Sequence, residues 1–145
     1  MSAEERGRLK RGQIGERVLR LEDGPLLAGA GTFAADWSFP DTLHMRVVRA
    51  SVAHGVITGI DTSAAEEMDG VIAVWTPADV ADIPLIDFRA TKYTGLDPYK
   101  QPVLARERVR YVGEPVAVVF ADDPYTAEDA ANLVFVDIDE LPAIT

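Results

Sequence analysis

The chain contains no cysteine, and its only histidines are His44 and His54. Without cysteine it can form no disulfide, no thiolate zinc site, no cysteine-ligated iron–sulfur cluster and no cysteine nucleophile. Two histidines cannot by themselves build a histidine-rich metal site. We therefore expect no metal centre in this chain.

Long apolar runs are also missing. No stretch approaches the roughly 20 residues that a membrane-spanning helix needs. The charged N-terminus is not followed by the apolar segment of a secretory signal. We expect a cytoplasmic protein with no membrane partner.

Positive charge is scarce beyond the first 20 residues. The 145 residues carry a formal net charge of −10, yet residues 1–20 hold six basic and three acidic side chains, a net charge of +3. The remaining −13 would repel the phosphates of nucleic acid. We predict a flexible basic arm over residues 1–18, one domain over residues 19–145 and no nucleic-acid partner.

The most strand-like stretch is residues 101–121, QPVLARERVRYVGEPVAVVFA. Its valines and aromatic residues predict two strands, at 103–112 and 115–121, separated at Gly113. Residues 115–120 contain no polar side chain, which is typical of a central strand covered on both faces. This stretch therefore predicts the core of the sheet.

The strand predicted over residues 42–49 has two unlike faces. Alternation places Leu43, Met45 and Val47 on an apolar face and His44 on a more polar one. We therefore expect His44 to be a solvated or interface side chain.

Three aspartates, Asp61, Asp79 and Asp123, are best explained as helix caps, because each precedes or opens a short helical pattern. The expected helices alternate with strands. Further strands are predicted at residues 56–60, 71–75 and 133–138, and helices at residues 62–68, 77–83 and 124–131.

Two strand–helix–strand units, residues 56–75 and 115–138, have connections of about the length that a short crossover helix needs. Long strands lie outside these units. The pattern favours an α+β fold with a mixed β-sheet and two to three short helices. A ferredoxin-like sandwich is the alternative.

Residues 84–100 show no sustained periodicity and are predicted to form a long loop. Its aromatic residues, Phe88, Tyr93 and Tyr99, are many for a free loop. We expect the loop to pack on this domain or on a partner.

No self-sufficient active site is apparent from residue chemistry. Gly29 and Gly31 lack the third glycine and the flanking strand of a phosphate loop, and a tight turn explains them better. The acidic residues within 137–140 match no cation-binding loop, and Ser51 near His54 lies on no nucleophile elbow. We assign no catalytic, cofactor-binding or metal-binding residue.

Six motifs follow one another along the chain: RLED at 20–23, LLAGAGTF at 26–33, VRASVAHGVI at 48–57, GVIAVWT at 70–76, QPVLA at 101–105 and VRYVGEPVA at 109–117. Their order and spacing resemble the N-terminal a/b-hammerhead domain of the molybdopterin-binding large subunit in the xanthine dehydrogenase, aldehyde oxidase and carbon monoxide dehydrogenase family. The resemblance covers roughly residues 18–145.

The resemblance implies a hammerhead fold and a structural N-terminal domain, or split subunit, of a molybdenum hydroxylase. The family's molybdopterin and catalytic motifs lie later in the large subunit, so the chain is expected to be non-catalytic alone. The assembled enzyme would hold molybdenum–molybdopterin, iron–sulfur clusters and FAD. The expected partners are the rest of the molybdopterin-binding subunit and the iron–sulfur and FAD subunits.

Docking against these partners would use interface residues, for which the candidates are His54, Phe88, Tyr93, Tyr99, Gln101 and Glu114. Glu114 lies at the break between two strands, so we interpret it as a fold or interface residue rather than a catalyst. The alternative function is a stand-alone module that binds a small ligand or another protein and has no redox role.

Overall fold

A computed structural model of the chain describes residue 15, residue 17 and residues 19–37, 39–88 and 94–143. The chain divides into two compact units, one up to Phe39 and one from Pro40 onward. Most of the predicted basic arm lies outside the described residues. The predicted boundary between the arm and a single domain stays a prediction.

The first unit contains a short helix, α1 (Asp23–Leu27), and a 3₁₀ helix at Ala34–Asp36. Pro25 lies in the first turn of α1, where the missing N–H of a proline costs no helical hydrogen bond. Gly29 adopts a φ of +69° just after α1, and its N–H donates to the Leu26 carbonyl over 3.2 Å. Gly29 thus lies in the predicted tight turn, whereas Gly31 lies beyond it.

The second unit is built from strands joined by short helices. Its described residues form β1 (His44–Arg49), β2 (Gly55–Asp61), α2 (Ser63–Glu66), β3 (Val71–Trp75), β4 (Arg108–Val109), β5 (Pro115–Ala121), α3 (Pro124–Leu133) and β6 (Phe135–Glu140), with a 3₁₀ helix at Thr94–Tyr99.

These strands form two three-stranded sheets, ordered β1-β5-β3 and β4-β2-β6, and every ladder in them is antiparallel. The α+β class is confirmed, whereas the predicted mixed sheet with parallel crossovers is wrong. A parallel crossover needs about a dozen residues or more, and the connection from Asp61 to Val71 is shorter. Each predicted strand–helix–strand unit instead carries the chain from one sheet to the other, so the ferredoxin-like alternative also fails.

β5 is the central strand of the first sheet, as its apolar sequence predicts. Ala117 and Val119 pack into a core cluster with Ala130 of α3, whereas Val116 packs into a second cluster with Val109. The small side chains of α3 let the helix lie close to the sheet. The Asp123 carboxylate caps α3 by accepting from the backbone N–H of Tyr125, as predicted.

The helix predicted near residues 77–83 is absent, and this part of the described chain forms successive turns. Asp79 accepts from the backbone N–H of Thr76 at 2.7 Å within one turn. The guanidinium of Arg106 donates to the carbonyls of Ala81 at 3.0 Å and Ile83 at 3.4 Å. These two carbonyls therefore accept hydrogen bonds from a side chain distant in sequence, and not from the backbone N–H groups of a helical turn.

The long strand predicted over residues 103–112 is reduced to β4, because only Arg108 and Val109 pair with β2. The residues before β4 still belong to the core. Leu104 and Ala105 are buried, and the Ala105 N–H donates to the Pro115 carbonyl over 2.8 Å.

The polar face of β1 packs toward α3. Arg46 forms an ion pair with Glu128 of α3, and Val48 packs against the first core cluster. His44, on the same face, is half-buried rather than solvated. Within the described parts of the chain, no helix has the length and apolar character needed to cross a membrane.

Candidate functional site

Glu114 lies at the corner where the chain enters β5, and only 3% of its surface is exposed. It is the one charged side chain that is buried among the described residues. Its carboxylate accepts a hydrogen bond from the backbone N–H of Arg110 at 2.5 Å. Gly113, with a φ of +87°, makes the left-handed step that folds the chain back to allow this bond.

Two arginines surround this corner. Nη1 of Arg110 lies 3.6 Å from Oε1 of Glu114, and Nη1 of Arg49 donates to the Gly113 carbonyl over 2.8 Å. A buried carboxylate needs such compensation, because an unpaired buried charge is strongly unfavourable. The carboxylate is therefore used inside the chain to hold the corner. An additional interface role for Glu114 stays a prediction.

His54 lies beside this corner at the rim of an open pocket of about 430 Å³. Its Nδ1 lies 2.9 Å from the Pro142 carbonyl oxygen. A carbonyl oxygen can only accept, so Nδ1 carries the proton and Nε2 is left as an acceptor, 3.5 Å from Nη1 of Arg108. Arg110, Tyr111 and Val112 also line the pocket. Arg110 thus lines the pocket beside His54 and also lies next to Glu114.

The other four predicted interface residues lie in the chain segment before β4. The Ile86 N–H donates to the Gln101 carbonyl over 2.8 Å, which ties the two ends of the loop together. Phe88 is 39% exposed and Tyr99 is 68% exposed, so both retain surface for a partner. Tyr93 lies outside the described residues.

Charge also closes this loop. Nζ of Lys100 lies 3.3 Å from Asp87 and 2.9 Å from Asp97. The backbone N–H of Phe88, followed by Lys100, lowers the pKa of Asp87. Hydrogen bonds to Asp97 and then Asp87 raise the pKa of Lys100. The loop base is therefore a charged clamp within a chain segment that shows little regular structure.

The part of the chain that the structure describes brings few side chains together that could bind a metal or a cofactor. It contains no cluster of three or more histidine, aspartate or glutamate side chains that could hold a metal ion. The predicted acidic caps are engaged locally, as Asp61 is by the Ser63 N–H at 3.0 Å. We therefore assign no step of metal or redox chemistry to these residues.

Sequence reasoning named Glu114 and His54 but missed their arginine partners. The signal for Arg110 is its spacing of four residues from Glu114 with Gly113 between them, which brings the two side chains together once the glycine turns. No comparable local signal connects His54 to Arg108, because that contact depends on the pairing of β2 with β4.

A family model described as "Aldehyde oxidase and xanthine dehydrogenase, a/b hammerhead domain" matches residues 28–142. The chain belongs to this family. The hammerhead fold expected from the six motifs is confirmed. The match includes β1 to β6 and the corner at Glu114.

Several relatives of this hammerhead chain are large subunits of oxidoreductases. It is 44% identical over 137 residues to the nicotine 6-hydroxylase large subunit of Paenarthrobacter nicotinovorans, covering 94% of this chain and 17% of that protein. It is 40% identical over 128 residues to the carbon monoxide dehydrogenase large chain of Hydrogenophaga pseudoflava, covering 88% of this chain and 15% of that one.

A solved structure shows the same fold. The quinoline 2-oxidoreductase from Pseudomonas putida 86 superposes with a TM-score of 0.74 at 40% identity, over 94% of this chain and 17% of that one. The hammerhead chain therefore spans less than a fifth of the length of each of these three proteins.

Proposed function

We propose that this chain is a structural hammerhead domain, or a split subunit, of a molybdenum hydroxylase, non-catalytic by itself, and that it docks against the molybdopterin-bearing part of that enzyme. One observation carries the proposal: the hammerhead match covers residues 28–142, whereas the chain covers only 17% of the nicotine 6-hydroxylase large subunit.

The cofactors and further partners belong to the same proposal. The assembled enzyme would use molybdenum–molybdopterin to oxidise its substrate and would pass the electrons to iron–sulfur clusters and FAD. A sequence without cysteine offers no thiolate to a cluster, so we assign the clusters and the flavin to partner subunits. A relative named as subunit gamma of the 6-hydroxypseudooxynicotine dehydrogenase complex supports a multi-subunit assembly. The cytoplasmic location stays a prediction.

Co-expression tests this function. The chain would be produced with an affinity tag together with the molybdopterin-binding polypeptide encoded beside it in the source genome. We expect the two to co-purify in equal amounts, and we expect molybdenum and dye-linked oxidation only in the complex. Molybdenum-dependent turnover by the purified chain alone would overturn the non-catalytic role, and failure to co-purify would overturn docking.

The alternative of a stand-alone binding module would use the pocket beside His54. The same preparation separates the two functions. A module of that kind would remain a monomer in the presence of the molybdopterin-binding polypeptide, and a ligand would slow the hydrogen exchange of the Leu141 N–H, which donates to the His54 carbonyl.

A further inference from the structure

The first sheet has one face that the helices of the described residues do not cover. In one row across the sheet, Val118 of β5 pairs with Val47 of β1 and with Trp75 of β3. In the neighbouring row, Phe120 pairs with Met45 and with Ala73. Side chains that lie opposite each other in a ladder point to the same face of the sheet. This face, the open face, carries Met45, Val47, Ala73, Trp75, Val118 and Phe120.

The open face belongs to neither core cluster formed by the described residues. The first cluster, with Val119 and Ala130, lies on the helix side of the sheet, and the second, with Val116 and Val109, involves the other sheet. Met45 is accordingly 57% exposed and Trp75 is 46% exposed. The apolar run of β5, which predicts a cover on both faces, is covered on one face and only in part on the other.

The composition of the open face is unusual for a solvated surface. None of its six side chains is charged, although 26% of the residues in the chain are charged. Antiparallel sheets with one face in water normally place polar residues there. The charged residue of β1 nearest to it, Arg46, points instead toward Glu128 of α3. An apolar patch of this kind marks a surface that another molecule covers.

An aromatic pair lies on the open face. The rings of Trp75 and Phe120 meet edge-to-face with their centroids 4.7 Å apart. This arrangement is favoured by the ring quadrupoles and stabilises the observed orientation of the indole. Tryptophan is over-represented among the residues that dominate binding energy at interfaces.

The length of the relatives and the lack of charged side chains on the open face together specify the occupant. This chain covers 17% of the nicotine 6-hydroxylase large subunit, so most of the polypeptide that accompanies a hammerhead there lies outside it. A charged surface placed on the open face would lose water without gaining a partner charge. An apolar, uncharged segment would match it.

We infer that the open face is the docking surface for an apolar, uncharged segment of the molybdopterin-bearing polypeptide, with Trp75 as its central anchor. This inference rests on the proposed function. It adds the face that is used and the chemistry of the segment that covers it.

The absence of cysteine provides a direct test, because a single introduced thiol is unique in this chain. Met45→Cys reports on the open face. Tyr125→Cys is the matched control, because Tyr125 is 81% exposed at the start of α3. Alkylation of this chain would be followed by mass, alone and in the co-purified complex. We expect assembly to slow alkylation of the Met45→Cys thiol by more than about tenfold and to leave the control rate unchanged.

The outcomes separate this inference from the proposed function. If the complex forms and the Met45→Cys thiol reacts as fast as in the free chain, the open face is not the docking surface, and the proposed function stands. If no complex forms, the proposed function fails and this inference fails with it. Protection that appears in the free chain as its concentration rises identifies a second copy as the occupant and also overturns the inference.

An affinity measurement provides the second arm. We expect Trp75→Glu to weaken binding of the molybdopterin-bearing polypeptide by at least about tenfold, because the charge is buried without a partner. Tyr125→Glu adds the same charge elsewhere and is expected to bind as the parent chain does. If thermal melting shows that the Trp75→Glu chain does not fold, Met45→Glu on β1 takes its place. Parent-like binding by folded variants of both positions contradicts the inference.

Discussion

The backbone N–H of Arg110 donates to the buried carboxylate of Glu114 over 2.5 Å, while the guanidinium of the same arginine lies 3.6 Å from that carboxylate. One residue therefore supplies both the donor and the charge that a buried glutamate needs. The bond spans Gly113, so it fixes the direction in which the chain enters the central strand β5.

Replacing Glu114 tests this corner. Glu114→Ala is expected to lower the free energy of unfolding by about 2 kcal/mol, because it leaves the Arg110 N–H without its charged acceptor. Glu114→Gln keeps an acceptor oxygen and is expected to lose about half as much. Urea denaturation measures both. Equal losses for the two variants would show that the charge, not the hydrogen bond, holds the corner.

Two glycines in β2 provide a matched pair. A Cβ at Gly55 would lie 2.4 Å from Cγ2 of Ile138 and 2.8 Å from the Asp139 carbonyl oxygen, whereas at Gly59 the nearest atom would be 4.0 Å away. We expect Gly55→Ala to lower the free energy of unfolding by about 1–3 kcal/mol, because β6 must move. Gly59→Ala is expected to change it by less than about 1 kcal/mol. Similar denaturation midpoints for the two variants would refute the close packing of β2 on β6.

The cap of α3 is tested at Asp123, whose carboxylate accepts from the backbone N–H groups of Tyr125 at 2.8 Å and Thr126 at 3.1 Å. Asp123→Ala removes the acceptor, and we expect the melting temperature to fall by a few degrees. Asp123→Asn retains an acceptor and is expected to melt close to the parent. Equal melting temperatures for the two variants, both below that of the parent, would mean that the cap acts by charge alone.

The charged clamp at the loop base predicts a pH dependence. The pKa of Asp87 is lowered from 3.8, so its stabilisation is present above that value and is lost as the pH falls below it. The pKa of Lys100 is raised from 10.5, so its stabilisation is present below that value and is lost as the pH rises above it. We expect Lys100→Met to speed hydrogen exchange at the Ile86 N–H near neutral pH. Identical exchange in parent and variant at pH 7 would show that the clamp does not hold the loop.

Local chemistry made part of this fold predictable. The observed bounds of β3 and β5 agree with the prediction, because each is a short apolar run between turn residues. Asp123 and Pro124 likewise predicted the start of α3, as its N-cap and its first residue. The sequence did not predict features that depend on residues distant along the chain. Arg106 donates to carbonyls in the segment where a helix was expected near residue 80. The sequence of a strand also does not show which other strand it pairs with.

Some residues of the candidate site could be predicted from the local sequence, and others could not. Glu114 was identifiable because an acidic residue beside a glycine stands out within an apolar stretch. Arg108 was not, since its contact with His54 exists only after β4 pairs with β2. The open face could be predicted only in part. Alternation in residues 42–49 separates Met45 and Val47 from His44, but only the packing of the described helices shows that they leave the apolar side exposed.

The position of β5 in the first sheet has a consequence for biosynthesis. His44 and Val71 both pair with Ala121, so the middle strand leaves the ribosome after both of its neighbours. The nascent chain must hold two unpaired apolar strands apart until the third inserts between them. Because such distant contacts form slowly, we expect arrested nascent chains that end before residue 115 to bind a chaperone and chains extended past residue 121 to release it. Release from the shorter chains would show that β1 and β3 do not wait for β5.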